Sequence, residues 1–139
     1  MRVAVFGLGY VGAVTAACLA HRGHQVWGVD IDPQKVAAVN AGRGPVAEPG
    51  LDALLAEATR SLRLHATGDI SRAVREADVL LLCVGTPADG DGHVDLGAVR
   101  EVAGQIGRVL RVTDGYRTVV VRSTVPPGTT EDLLRPLLE

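Results

Sequence analysis

The sequence predicts an α/β protein, a doubly wound parallel sheet of strand order 3-2-1-4-5 with helices on both faces. Three observations carry this reading. Short apolar runs alternate with helical patterns along the chain, which is how parallel strands joined by right-handed crossovers are written. A glycine cluster, Gly7-Leu8-Gly9-Tyr10-Val11-Gly12, separates the first apolar run from the first helix. The composition is 47% hydrophobic but only 3% aromatic, so the core must be Val, Leu and Ala, as suits strands covered on both sides.

Taken in order, Arg2 to Phe6 reads as a buried strand. An alanine-rich helix follows from about Tyr10 to His21, ended by Arg22-Gly23-His24, where glycine suits a left-handed cap. Gln25 to Asp30 is the second strand and completes a βαβ unit of about 30 residues. Asp32-Pro33 starts a helix to about Ala41, with Asp as N-cap and Pro at the first helical position. A turn-rich connection, Gly42 to Gly50, leads to a helix over Leu51 to Arg60 and a strand over Leu62 to Ala66. Asp69 caps a helix through about Arg75, and Asp78 to Val84 is the fourth strand. A polar loop, Gly85 to Asp95, precedes an amphipathic helix over Leu96 to Leu110. Thr118 to Arg122 is the fifth strand, Ser123 to Gly128 a loop, and Thr129 to Glu139 a last helix. No repeat, linker or low-complexity tract interrupts this pattern.

The bulk properties narrow the function classes. With 139 residues the chain suits one domain, residues 1–139. A net charge of -2 gives no basic footprint for nucleic acid or an anionic membrane. The 2 cysteines, Cys18 and Cys83, have neither paired nor metal-ligand spacing, so no metal is expected and a reduced, cytoplasmic setting is. No signal-peptide profile opens the chain, and no apolar run reaches membrane-spanning length.

The glycine cluster carries the first chemistry. A tight turn between strand and helix lets backbone approach a diphosphate, with the N–H groups and positive dipole end of the helix facing the anion. The motif alone is weak, but here strand, helix, second strand and a following acid are all present. That acid, Asp30, lies at the offset of about 20 residues where a carboxylate accepts hydrogen bonds from an adenosine ribose and repels a 2′-phosphate. NAD rather than NADP is therefore the expected cofactor. Lys35 reads equally as a second ribose ligand and as a solvated helix lysine.

The ends of strands four and five lie at the predicted switch point. Gly85 permits close backbone approach, and the Thr86 hydroxyl suits a phosphate or ribose. Ser123 and Thr124 place two hydroxyls towards the nicotinamide side, although both also suit a local turn. Cys83, between Leu82 and Val84 with no nearby His or Lys, reads as a small buried hydrophobe rather than a nucleophile. His21, His24, His65 and His93 show no i, i+4 pairing or acidic partner and are expected to be structural or surface groups; Trp27 should simply pack. Asp89 and Asp91 lack the rest of a calcium loop and read as a solvated turn.

These segments together resemble the N-terminal coenzyme-binding domain of the nucleotide-sugar 6-dehydrogenases, the UDP-glucose and GDP-mannose enzymes. The resemblance rests on Phe6 to Gly12, Gly28-Val29-Asp30-Ile31-Asp32, Glu48-Pro49-Gly50-Leu51, Val84-Gly85-Thr86-Pro87 and Arg122-Ser123-Thr124-Val125-Pro126. It implies a Rossmann-like fold in which the backbone of Tyr10 and Val11, beside Gly7, Gly9 and Gly12, contacts the pyrophosphate. It further implies that Asp30 and Lys35 hold the adenosine ribose, and that Thr86 and Thr124 line the nicotinamide half, with Gly85 a cofactor contact beside them. Thr124 is also implied to help hold a catalytic water. Glu48-Pro49-Gly50 reads equally as a wall facing cofactor and substrate and as a helix-capping turn.

The resemblance implies a reaction as well. Such enzymes oxidise the C6 alcohol of a nucleotide sugar twice, using two NAD⁺, through a thiohemiacetal and a thioester on a cysteine. The family's nucleophilic cysteine, lysine and sugar-binding residues lie in later segments, so this chain is expected to be the cofactor-binding piece of a longer enzyme, inactive alone. A homodimer is implied for the longer enzyme through a central helix, which leaves this piece free to be a monomer. Several motifs lean towards the GDP-mannose branch. A stand-alone NAD(H)-sensing module, a hydroxyacid dehydrogenase domain and a methyltransferase are the competing readings; Asp30 opposes the second.

Overall fold

Alternate residues of the first strand serve opposite faces, and that alternation lays out the molecule. The computed structural model describes residues 1–139. In β1 (Arg2–Phe6), Val3 and Val5 face one core while Ala4 and Phe6 face the other. Flanking it are β2 (Gln25–Val29), β3 (Leu64–Thr67), β4 (Val79–Leu82) and β5 (Thr118–Val121). All pairings are parallel and the order is β3-β2-β1-β4-β5, as predicted. The register of β1 against β4 is locked at its start, where Asp78 accepts from the Arg2 backbone and guanidinium, the closest contact being 2.6 Å.

On one face lie α1 (Tyr10–His21), α2 (Pro33–Asn40) and α3 (Leu51–Arg60). Alanines do the close packing: Ala13, Ala16, Ala17 and Ala20 of α1 are almost fully buried, with no long side chain to hold the helix off the sheet. On the other face lie α4 (Ile70–Glu76) and α5 (Gly97–Leu110), which bury Val74, Val99, Ala103 and Ile106 against Phe6, Leu80 and Leu82.

Three predicted elements differ from what is found, the fourth strand only in running Val79–Leu82 instead of Asp78 to Val84. The last helix is not uniform: Thr129–Leu134 winds as a π-helix and only Arg135–Leu138 (α6) is α-helical. Pro136 has no N–H to give to the preceding turn and its ring crowds the carbonyl four residues back, so the chain widens ahead of it. Gly107 admits this segment at close range, since a Cβ there would lie 1.8 Å from the Leu137 carbonyl oxygen.

The third strand begins at Leu64 rather than Leu62, because Leu62 belongs to the end of α3. The Arg63 N–H donates to the Ala58 carbonyl at 2.9 Å and the Leu62 N–H to the Thr59 carbonyl at 3.1 Å, the paired bonds of a Schellman cap. The same pair closes α1 around Gly23 and α2 around Gly42, both glycines at positive φ. At Leu62 a side chain is carried at φ 56, and that side chain is 83% exposed, so no burial offsets the strain. Leu62→Gly should therefore stabilise the protein by about 0.5 to 1 kcal/mol, the relief of left-handed strain less the added chain entropy of glycine. A urea unfolding midpoint that rises at unchanged slope checks this.

Candidate functional site

The carboxyl ends of β1, β2, β4 and β5 surround a cleft of about 540 Å³, within the range of small-molecule sites. Gly7, Gly9, Tyr10 and Val11 form its floor, over the buried Leu8 and Gly12. Gly7 turns at φ 97, and its N–H donates to the Val29 carbonyl at 2.7 Å, tying the turn to β2. Gly12 is needed for internal reasons, because a Cβ there would lie 1.7 Å from the Gly7 carbonyl oxygen. Gly9 has no such reason: nothing in the chain lies within 4 Å of the Cβ it lacks, and its φ of -75 suits any residue. It is the N-cap of α1, yet no side chain caps that helix and no acid occupies its first turn. By contrast, Asp32 caps α2 and Asp69 caps α4. The leading N–H groups of α1 therefore lack partners and face the cleft, with room above Gly9 for an anionic group.

Asp30 stands at the edge of this floor with its side chain only 9% exposed. One carboxylate oxygen accepts the Leu8 N–H at 2.7 Å and the other accepts the Asp32 N–H at 2.9 Å. Lys35 Nζ lies 3.8 Å from Asp30 Oδ2. Each oxygen keeps acceptor capacity beyond its backbone bond, so the carboxylate can still receive hydroxyl groups from a ligand. Reasoning on the motif had not anticipated the anchoring role, because spacing alone does not show that Asp30 also grips the glycine turn.

The opposite wall comes from the loops after β4 and β5. Gly85 again has nothing within 4 Å of a would-be Cβ. The Thr86 hydroxyl donates to the Thr124 carbonyl at 2.7 Å, joining the two loops. The Ser123 hydroxyl turns inward to the Val84 carbonyl at 2.7 Å, whereas Thr124 is exposed in the cleft. Cys83 is buried behind this wall, and burial pushes its thiol above the ordinary range, which suppresses the thiolate a nucleophile needs.

Three features of the site were not read from the sequence. An apolar recess of about 130 Å³ adjoins the cleft between β2 and α5, lined by Ile31, Ile70, Val84, Ala98 and Val102. Ala98 and Val102 are one helical turn apart, which was a usable signal; Ile31, 90% exposed beside Asp30, was another. Arg122 lines the far wall beside Thr124. Finally, the Tyr10 hydroxyl at the cleft mouth donates to the Glu48 carboxylate. The Glu48 loop makes the turn before α3, where the Leu51 N–H donates to the Glu48 carbonyl at 3.2 Å, and it reaches the cleft only through the Glu48 side chain's bond to Tyr10.

Elsewhere, two histidines do have acidic partners, contrary to the sequence reading. His21 Nδ1 lies 3.3 Å from Glu57 Oε2, and His93 Nδ1 lies 3.7 Å from Asp89 Oδ1. Folding brings the first pair together, whereas the second has i, i+4 spacing. Trp27 stacks edge-on with His65 and sits under the Arg72 guanidinium. Asp89, Asp91 and His93 cluster on an exposed loop whose acidic oxygen is already engaged by the Asp91 and His93 N–H groups.

Two outcomes follow from this geometry. Gly12→Ala should destabilise the fold by about 3 kcal/mol, since helix and turn cannot separate without disturbing Gly7; chemical unfolding measures it. The hydrogen bond to Glu48, helped by its charge, raises the Tyr10 phenol above its ordinary value, because it favours the neutral form. That contribution to stability is complete below the ordinary tyrosine range and is lost as pH rises through the raised value. Glu48→Ala should lower the pH at which Tyr10 ionises, as followed by phenolate absorbance.

Comparison with known proteins bears on what this cleft belongs to. The chain is 48% identical over 139 residues to a GDP-mannose 6-dehydrogenase of Pseudomonas aeruginosa, covering 100% of this chain and 32% of that protein. It is 43% identical over 140 residues to a UDP-glucose 6-dehydrogenase of Rhizobium meliloti, covering 31% of it. A crystal structure of a ternary complex of GDP-mannose dehydrogenase from Pseudomonas aeruginosa superposes with a TM-score of 0.99, at 48% identity, over 100% of this chain and 32% of that one. The chain thus spans about a third of the length of the curated relatives it matches. Residues 1–139 match throughout the family described as UDP-glucose/GDP-mannose dehydrogenase family, NAD binding domain, and the chain belongs to that family.

Proposed function

We propose that this chain is the NAD-binding domain of a nucleotide-sugar 6-dehydrogenase. The observation that carries the reading is one cleft that holds both an uncapped helix N-terminus behind Gly9 and the Asp30 carboxylate. The group implied fits these residues. The N–H groups of Tyr10 and Val11, above Gly7, Gly9 and Gly12, would bind the diphosphate where no side chain competes. Asp30 would accept the adenosine ribose hydroxyls, with Lys35 beside it, and its charge opposes the extra phosphate of NADP. The apolar recess beside Ile31 matches the flat adenine ring. A dinucleotide anchored at β1 and β2 then crosses the sheet towards β4 and β5, which puts nicotinamide near Gly85, Thr86 and Thr124.

When bound, NAD supplies the hydride acceptor. The chain's own part is to hold it, to present one face of the nicotinamide to the alcohol carbon, and to offer the Thr124 hydroxyl to a water molecule. The thiols at hand are Cys18, on the exposed side of α1, and the buried Cys83, so the reacting cysteine is assigned to the rest of a longer enzyme. The substrate class is a GDP- or UDP-linked hexose, and the higher identity to a GDP-mannose enzyme supports the former. Both cysteines are free, in keeping with a reducing cytoplasm, and no helix is long and apolar enough to cross a membrane. The longer enzyme is proposed to be a homodimer and this domain a monomer.

Calorimetry against NAD⁺, NADP⁺ and S-adenosylmethionine tests the reading. Preference for NAD⁺ is expected, and preference for either other ligand would overturn it. Gly9→Ala should abolish NAD⁺ binding while changing stability by no more than about 0.5 kcal/mol, since its Cβ meets nothing in the free protein. With NAD⁺ and either GDP-mannose or UDP-glucose, the isolated chain should form no NADH.

A further inference from the structure

The Tyr10–Glu48 hydrogen bond joins the first residue of α1 to the loop between α2 and α3, two parts of the chain with different anchoring. The Glu48 side is pinned. The Gly44 N–H donates to Asp52 Oδ1 at 2.6 Å, the Leu51 N–H donates to the Glu48 carbonyl at 3.2 Å, and Val46 packs against the core. The carboxylate is thereby presented from a fixed backbone. The Tyr10 ring is the free member: it is 56% exposed, turns about two side-chain torsions and belongs to a residue lining the same cleft as Gly7 and Gly9. Released from Glu48, the ring has an alternative place to go. Val11 and Val84 offer apolar surface within the same cleft, and burying part of an aromatic ring there is favourable. Those residues share the cleft with Gly9, so a ring settling on them competes with a ligand for the space that Gly9 leaves open.

We propose that Glu48 is a positioning residue for the cofactor: its carboxylate holds the Tyr10 ring as a fixed wall of the cleft, clear of the diphosphate turn, so that NAD meets a preformed entrance. This inference rests on the NAD-binding reading above. It assigns the Glu48 side chain a task distinct from the helix-capping turn made by its backbone. It also explains why a loop remote from the cleft floor sends one acidic side chain to an exposed phenol. A phenol is protonated throughout the neutral range and so can donate, and the bond to Glu48 moves its ionisation further from that range. Fixing one such side chain before the ligand arrives is worth about two- to tenfold in affinity, the ordering cost that binding would otherwise carry.

The test is a double-mutant cycle read by NAD⁺ calorimetry on the full 139-residue chain. Tyr10→Phe and Glu48→Ala should each weaken NAD⁺ binding by about two- to tenfold, and the double variant should be no worse than the weaker single, because both remove one bond. Glu48→Gln, whose amide oxygen still accepts, should recover most of the affinity. In the free protein, Glu48→Ala should lower the pH of Tyr10 ionisation, which confirms that the bond has been removed, while rescue of the affinity by Glu48→Gln separates positioning from a merely structural contact. Unchanged affinity in Glu48→Ala, tighter binding, or losses that add in the double variant would each overturn the positioning role while leaving the NAD reading in place. No binding of NAD⁺ by the parent chain would overturn both.

Discussion

The grip of the Asp30 carboxylate on the glycine turn is the interaction on which the site depends. A turn with three glycines in six residues has little conformational preference of its own and must be held from outside. Two bonds hold it to β2: the Gly7 N–H to the Val29 carbonyl, and the Leu8 N–H to Asp30 Oδ2, both 2.7 Å. The second is charge-assisted and the stronger kind. The same carboxylate receives the Asp32 N–H and so sets the residue that caps α2. One side chain therefore fixes the course of the turn, the start of the next helix and the polar edge of the cleft. A neutral isostere would keep the shape and weaken all three.

The glycines of this turn are not interchangeable, although the motif writes them alike. Gly7 and Gly12 are required by the protein: a Cβ on Gly7 would sit 2.9 Å from the Cys83 carbonyl oxygen, and one on Gly12 would sit 1.7 Å from Gly7. Gly9 and Gly85 meet nothing, so the folded chain has no use for their missing side chains. Open space at a glycine is not by itself a mark, since Gly90 and Gly104 have it too, but Gly9 and Gly85 have it on the lining of one cleft. The uncapped N-terminus of α1 makes the same point in hydrogen bonds. Donors left without partners beside glycines left without neighbours converge on one volume, and chance supplies no reason for the two to coincide.

Much of this was legible in the residues because it was written locally. Alternating apolar runs and helix caps at Asp32 and Asp69 gave the element order, and alternation of strand and helix gave the parallel sheet. Motif spacing placed Gly7, Gly9, Tyr10, Val11, Gly12, Asp30, Lys35, Gly85, Thr86 and Thr124, and these do line a single cleft, Gly12 alone lying beneath it as packing. What was not legible depends on contacts between distant residues or on backbone strain. Leu62 looks like the first residue of a strand because nothing in its type announces a left-handed cap. The widening before Pro136 arises from a missing donor four residues away. Tyr10 and Glu48 are 38 positions apart and meet only because α3 packs beside α1. The apolar recess needs β2 and α5 side by side, a juxtaposition that exists only once the sheet is ordered.

The far wall of the cleft shows how such a fold separates what it needs for itself from what it presents. Ser123 and Thr86 are both hydroxyl donors at strand ends, and both donate inward, to the Val84 and Thr124 carbonyls. Those two bonds close the gap between the loops after β4 and β5, neither of which has a regular element to stiffen it there. Thr124 then contributes only its carbonyl to the framework, and its hydroxyl is left facing the cleft. Arg122, the neighbouring cation, makes no salt bridge within the chain. A wall whose backbone is latched and whose outward groups are uncommitted is rigid where position matters and available where chemistry does. Asp30 does at the β2 edge of the cleft what Thr86 and Ser123 do here, so both ends of the cleft are held by side chains that first satisfy the protein's own backbone.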